Sequence, residues 1–177
     1  MSPRCRVVVV VDYGLGNLLS VRRGLEHVGA IVEISDDPST ISHAPRIVLP
    51  GVGAFAQGMA QLSARGLDGA LLEAAEKGTP LLGICLGMQL LFESSLEFGR
   101  TAGLALLEGR VEQIPRVTQS GESLKVPHVG WSPLAPPGRA EAFTGSLTEG
   151  LVAGDAMYFV HSFMAVPDPA DRIADAL

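Results

Sequence analysis

A cysteine set between two glycines, Gly83-Ile84-Cys85-Leu86-Gly87, stands where a short apolar run ends and a helix-forming segment begins. This is the pattern of a nucleophile elbow with sulfur in the position of the usual serine oxygen. The side chain at such a turn is held in a strained backbone geometry. Glycines flank it because the strand and the helix approach each other too closely for a Cβ. At the amino end of a helix predicted over Leu86 to Glu93, the thiol also meets backbone N–H groups and the positive end of the helix dipole, both of which favour thiolate. Cys85 is therefore placed to attack a carbonyl carbon. The bland alternative is a structural cysteine buried at a strand end, but strand, glycine pair and helix occur in the order the chemistry requires. Cys5, ahead of the first strand and with no neighbour that could serve it as a general base, is assigned no chemistry.

Other constellations carry less. Gly14-Leu15-Gly16 follows a strand and opens a helix as a dinucleotide fingerprint would, yet Leu19 occupies the third glycine position and prevents close helix approach. No P-loop, metal-ligand run or zinc spacing appears, so neither a metal nor a cofactor is expected. His27, within the first helical pattern, and His43, before Pro45, read as surface residues.

The elements that must position Cys85 follow from periodicity. Val7 to Val11 is a continuous β-branched run closed by Asp12-Tyr13-Gly14, the pattern of a strand buried on both faces of a parallel sheet. Leu18, Val21, Leu25 and Val28 then recur at helical spacing up to Gly29. Ile31 to Ile34 and Arg46 to Leu49 read as strands, with a turn or short helix opened by Asp36-Asp37-Pro38 between them. Phe55 to Arg65 and Leu67 to Lys77 read as helices, and Pro80 to Ile84 as a fourth strand running into Cys85. This alternation predicts an α/β fold with a doubly wound, mostly parallel sheet. The second half reads as strands at Leu104 to Ile114, Lys125 to Trp131 and Met157 to Phe163, an antiparallel strand-rich extension joined by Gly/Pro-rich connections such as Pro133 to Gly138. The whole chain, 1–177, reads as a single domain.

Composition narrows the class. With 47% hydrophobic residues in 177, the chain has ample material for a core. A net charge of −6 argues against a nucleic-acid or anionic-lipid partner. Five valines after Arg4 and Arg6 are too few for a signal peptide or membrane span, and two cysteines eighty residues apart make no disulfide framework, so a cytoplasmic location is expected. Only 18% of residues are charged, leaving an apolar surface that a permanent partner would cover.

The chain resembles the class I glutamine amidotransferases, and among them the glutaminase subunits of imidazole glycerol phosphate synthases. The segments that carry the resemblance are Asp12 to Ser20 (D-Y-G-L-G-N-L-L-S), Leu49 to Phe55 (L-P-G-V-G-A-F), Gly83 to Glu93 (G-I-C-L-G-M-Q-L-L-F-E), Lys125 to Trp131 (K-V-P-H-V-G-W) and Tyr158 to Phe163 (Y-F-V-H-S-F). The elbow alone is common to amidotransferases, whereas the first and fourth segments together are specific to this subunit. The resemblance implies that Cys85 attacks the side-chain amide of glutamine, releasing ammonia through a glutamyl thioester. The elbow nominates the Leu86 N–H as one oxyanion donor, and the family assigns the other to Gly51-Val52-Gly53, where a peptide flanked by glycine can rotate between donor-in and donor-out states. Gln89, one turn beyond Cys85, becomes a substrate contact, its alternative being a solvent-facing helix position. His161 and Ser162 are also implied as substrate contacts. Asn17, Lys125, Pro127, His128 and Trp131 are implied at the interface with a (β/α)8-barrel cyclase that receives the ammonia in a heterodimer. For His128, strand packing stands equally open.

One departure matters. The family serves its nucleophile with a histidine and a glutamate in an H-P-E segment, and these 177 residues contain none: no histidine follows His161 and no glutamate follows Glu149. His161 is followed by Ser162 and Phe163 and matches an earlier strand, so it is not promoted to general base. With the unpunctuated run Ile173 to Leu177, this predicts a chain truncated at its C-terminus. The alternatives are a docking module lacking its base and another cysteine hydrolase on the same scaffold.

Overall fold

The computed structural model describes residues 6–117, 121–136 and 147–176. Cys5 and Leu177 lie outside them, as does Gly138. The chain divides into two compact units at Val111–Glu112.

The first unit opens with β1 (Val7–Val11), α1 (Leu18–His27), β2 (Ile31–Ser35), α2 (Pro38–Ser42) and β3 (Ile47–Leu49). It continues with α3 (Phe55–Ala64), α4 (Leu67–Glu76), β4 (Leu81–Gly83) and α5 (Leu86–Gln89). Its main sheet is wholly parallel in the order β2-β1-β3-β4, with Val7 opposite Ile31, Val10 opposite Val48 and Leu49 opposite Gly83. The valine run earns its place at the centre: Val8 to Val11 are buried, the last two completely. On one face Val8, Val10 and Val48 pack beneath Leu18, Val21 and Leu25 of α1. Val9 and Val11, alternating to the opposite face, share the core with Ile41, Leu62, Leu67 and Leu71 from α2, α3 and α4. α1 stops where the sequence predicts, at Gly29 with φ +89°, whose N–H and that of Ala30 return to the carbonyls of Glu26 and Leu25.

Mid-helix Gly24 of α1 is exposed, with nothing within 4 Å of the position a Cβ would take. Gly24→Ala is expected to stabilise the protein by about 0.5–1 kcal/mol. Thermal denaturation of the purified variant should show Tm raised by roughly 2–4 °C per kcal/mol.

The segment after the elbow departs from expectation. The helix predicted over Leu86 to Glu93 ends at Gln89, and β5 (Phe92–Ser95) follows. The Leu90 carbonyl accepts from Leu104 N–H, and the Leu91 carbonyl from Leu106 and Leu107 N–H, so the backbone beyond Gln89 is held by bonds to the 104–107 segment. β5 pairs antiparallel with β6 (Thr101–Ala102) and parallel with β7 (Leu107–Gln113), which carries the chain out of the first unit. The strand predicted over Leu104 to Ile114 is thus confined to β7.

The second unit contains β8 (His128–Ala135), β9 (Ala156–His161), β10 (Phe163–Pro167) and β11 (Asp175–Ala176). β8 and β9 form an antiparallel ladder with His128 opposite His161 and Trp131 opposite Tyr158, and β11 adds to the other edge of β8. β8 begins later than the predicted Lys125 and runs through Pro133, which the sequence places in a connection. The strand tolerates this proline. Leu134 N–H points to β9, at the Asp155 carbonyl, so alternation turns the Pro133 nitrogen the other way, past the two residues that β11 pairs. The strand predicted over Met157 to Phe163 is interrupted at Ser162, whose carbonyl accepts from Ile114 N–H.

Candidate functional site

Cys85 is exposed and sits at φ 55°, ψ −118°, immediately before α5. A non-glycine residue in that region carries roughly 1–3 kcal/mol of backbone strain, tolerated only where the surroundings over-determine it. Here the two glycines of the motif do so. A Cβ on Gly83 would lie 2.4 Å from Met88 Cα, and one on Gly87 would lie 1.8 Å from the Leu49 carbonyl oxygen. Strand and helix are in backbone contact on both sides of the cysteine, and the turn between them has no room to relax. α5 has a single turn, so the dipole expected from an eight-residue helix shrinks to the local N–H groups of its first residues. The Leu86 N–H is the first of these. Gln89 N–H bonds back to the Cys85 carbonyl at 3.2 Å, which fixes Gln89, half-buried, one turn beyond the sulfur.

The loop that follows β3 meets this turn. A Cβ on Gly51 would lie 2.9 Å from both the Gly87 nitrogen and Leu86 Cβ, so the loop meets the start of α5 at Gly51. Val52 is exposed, and Gly53 has φ +106°, a conformation open to glycine. The sequence-predicted nucleophile, the Leu86 donor, the glycine loop and Gln89 are thus all gathered in the first unit.

Two residues escape sequence reasoning. Tyr13, fully buried just past β1, donates its hydroxyl to the Pro50 carbonyl at 2.8 Å. Burial first, and then the negative charge of Cys85, push its phenol well above the ordinary tyrosine range. Glu97 accepts from the Phe55 N–H at 2.7 Å and caps α3, whose own cap residue, Ala54, has no side-chain acceptor. Their partners lie 37 and 42 residues away in sequence, so no local pattern announces either bond.

His161 and Ser162 belong to the second unit. Phe163 carbonyl can only accept, so neutral His161 carries its proton on Nδ1, 2.8 Å away. Its Nε2 then accepts from His128 Nδ1 at 3.3 Å, and His128 Nε2 accepts from the Ser132 hydroxyl at 3.0 Å. Both ring nitrogens of His161 are engaged. Ladder alternation puts His128, Ser132, Phe159 and His161 on one face of the β8–β9 pair, with His128 stacked on Phe159. The other face carries Val129, Trp131, Tyr158 and Val160, all exposed, with Trp131 72% accessible and set edge-on to Tyr158. His128 and Trp131 therefore point to opposite sides of the ladder. Lys125 and Pro127, just before β8, are exposed. Asn17, in the first unit, caps α1 by accepting from Ser20 N–H.

Among the described residues no group of three or more His, Cys, Asp or Glu is placed to hold a metal, and no helix is long and apolar enough to cross a membrane.

Residues 9–174 match the profile of the family described as glutamine amidotransferase class-I. The chain is 49% identical over 162 residues to the imidazole glycerol phosphate synthase subunit HisH of Moorella thermoacetica, covering 92% of this chain and 72% of that protein. It is 46% identical over 169 residues to the subunit of the same name from Syntrophotalea carbinolica, covering 95% and 80%. Among solved structures it resembles PurLQS from Thermotoga maritima, with TM-score 0.62 and 22% identity over 97% of this chain and 74% of that one. A crystal structure of a glutamine amidotransferase also gives TM-score 0.62, at 16% identity over 86% and 70%.

Proposed function

The chain belongs to the class-I glutamine amidotransferases, and from that premise we propose that it is the glutaminase subunit of an imidazole glycerol phosphate synthase, acting in histidine biosynthesis. The observation that carries this reading is the exposed Cys85 thiol, held at positive φ between two sterically required glycines with a glycine loop packed against its helix.

Glutamine binds with its side-chain amide at the sulfur. The thiolate adds to the carbonyl carbon, the C–N bond breaks as the nitrogen takes up a proton and leaves as ammonia, and a glutamyl thioester remains. Water then adds to the thioester, the C–S bond breaks, and glutamate departs with the thiolate restored. At each addition the carbonyl oxygen becomes negative. The Leu86 N–H and an N–H of the Gly51-Val52-Gly53 loop are the donors that stabilise it. Gln89, His161 and Ser162 hold the rest of the substrate. The family's general base and its orienting carboxylate belong to the H-P-E segment, which these 177 residues do not include.

In bulk water near neutrality most ammonia would be ammonium, which is no nucleophile, so release into a sheltered path gives the chemistry its direction. The receiver is a (β/α)8-barrel cyclase subunit in a cytoplasmic heterodimer, which uses the ammonia to make imidazole glycerol phosphate and an aminoimidazole carboxamide ribotide. Asn17, Lys125, Pro127 and Trp131 contact it, whereas His128, on the opposite face of the β8–β9 ladder from Trp131, takes the alternative of strand packing against Phe159 and His161. The exposed apolar face around Trp131 suits a permanent partner better than it suits water. No cofactor is needed at any step.

The covalent route is tested by acid-quenching the assembled enzyme during turnover and mapping its peptides by mass spectrometry. A glutamyl adduct is expected on the peptide containing Cys85. Steady glutamate production with that peptide unmodified throughout would overturn the route.

A further inference from the structure

We propose that Tyr13 is a positioning residue for the glutaminase reaction: by donating to the Pro50 carbonyl it pins the peptide that enters the glycine loop, so that only the peptides beyond Gly51 rotate toward the oxyanion. The inference rests on the glutaminase reading above and assigns a task to a residue that reading leaves idle.

Tyr13 and Pro50 lie just past the ends of two adjacent parallel strands, β1 and β3, and the hydroxyl reaches across to the Pro50 carbonyl at 2.8 Å. The oxygen occupies the space where Gly51 would otherwise carry a side chain, 2.2 Å from the ideal Cβ position. Pro50 has no N–H and its ring fixes φ, so with its carbonyl held as well the Pro50–Gly51 peptide has no torsion left free. At the far end Glu97 holds the Phe55 N–H, while Gly58 N–H holds the Ala54 carbonyl. Reorientation is thereby confined to the peptides from Gly51 to Ala54, the first of which starts at the residue packed against the beginning of α5. Tyr13 is completely buried, and because burial keeps its phenol protonated, it remains a donor at any pH at which the enzyme works.

The clamp acts in the transition state. Without it the Pro50–Gly51 peptide joins the moving set, and the donor-in arrangement becomes a smaller fraction of the loop's states. Ground-state binding of glutamine and the nucleophilicity of the thiol are untouched.

The test is Tyr13→Phe, which removes only the hydroxyl, in the enzyme assembled with its cyclase. Losing one oxyanion donor costs about 10²–10³ in kcat, and diluting its productive state should cost about 5- to 50-fold. The glutamine KM should stay within about twofold. Alkylation of Cys85 by iodoacetamide, a displacement that develops no oxyanion, should keep its rate. A merely structural tyrosine would leave kcat per folded enzyme unchanged, and that result, beside an inactive Cys85→Ala control, overturns the proposal while the glutaminase reading stands. Alkylation falling in step with kcat also overturns it, since the thiol and not the loop would be at fault. Activity retained in Cys85→Ala overturns both. Should Tyr13→Phe fail to fold, NMR relaxation dispersion on the unaltered enzyme decides: microsecond-to-millisecond exchange is expected at the Val52 and Gly53 amides and not at Gly51, and equal exchange at Gly51 refutes the clamp.

Discussion

Cys85→Ala is expected to abolish glutamine-dependent turnover, lowering kcat by a factor on the order of 10⁵ or more. The methyl group cannot add to a carbonyl, and water attacking the amide directly gains only what the oxyanion donors and substrate binding supply, typically 10³- to 10⁴-fold over solution. The substitution should be nearly silent structurally. Cys85 is exposed, its sulfur fills no core position, and alanine tolerates the same positive φ no worse than cysteine does. Two measurements together check the expectation: glutamate release in the assembled enzyme should disappear, while ammonium salts supplied at high concentration should still drive the partner's reaction. The pairing matters, because loss of both would indicate a damaged complex, not a missing nucleophile. Residual glutamate release within tenfold of the unaltered enzyme would sink the covalent mechanism.

How far the sequence alone carries depends on how local each bond is. The elbow is legible because strand, glycine pair, cysteine and helix start lie within a few consecutive residues, and the backbone contacts at Gly83 and Gly87 are the reason those glycines are there. The parallel sheet is equally legible, since a strand buried on both faces has few sequences open to it and Val7–Val11 is one. Leu90-Leu91-Phe92 is the informative failure. Apolar residues there continue the helical spacing, yet the Leu90 and Leu91 carbonyls bond to amides between residues 104 and 107, and a helix four residues longer would forfeit those bonds. The Tyr13–Pro50 and Glu97–Phe55 bonds that flank the glycine loop are hidden for a related reason: each joins segments that only the folded sheet brings together. His128 and Trp131 show the same limit on the second unit. They share one sequence motif, but the period-2 alternation of β8 sends an odd-spaced pair to opposite faces, so a motif read as one interface is divided between a hydrogen-bonded histidine face and an exposed apolar one.

Gly87→Ala should separate the steric requirement of the elbow from the chemistry of its sulfur. The added Cβ would stand 1.8 Å from the Leu49 carbonyl oxygen, 2.6 Å from its carbon and 3.0 Å from the Pro50 carbon. All three are backbone atoms, so no rotamer change relieves the contact. The Leu49 carbonyl also accepts the Ile84 N–H at 2.9 Å, the last rung joining β3 to the elbow strand. Making room therefore means breaking that rung or driving Pro50, and with it the Gly51-Val52-Gly53 loop, away from α5. Overpacking usually costs about 1–3 kcal/mol when side chains can give way, and a clash with fixed backbone should reach about 3 kcal/mol or more. Urea unfolding of the variant is expected to show that loss. In whatever folded fraction remains, kcat should fall far more than the rate of Cys85 alkylation, because the oxyanion donors move while the thiol stays exposed. Gly24→Ala provides the control, with the same substitution in open space and a change of opposite sign. A Gly87→Ala protein with undiminished stability and turnover would mean that strand and helix can separate freely at the cysteine. Positive φ at residue 85 would then need a different cause.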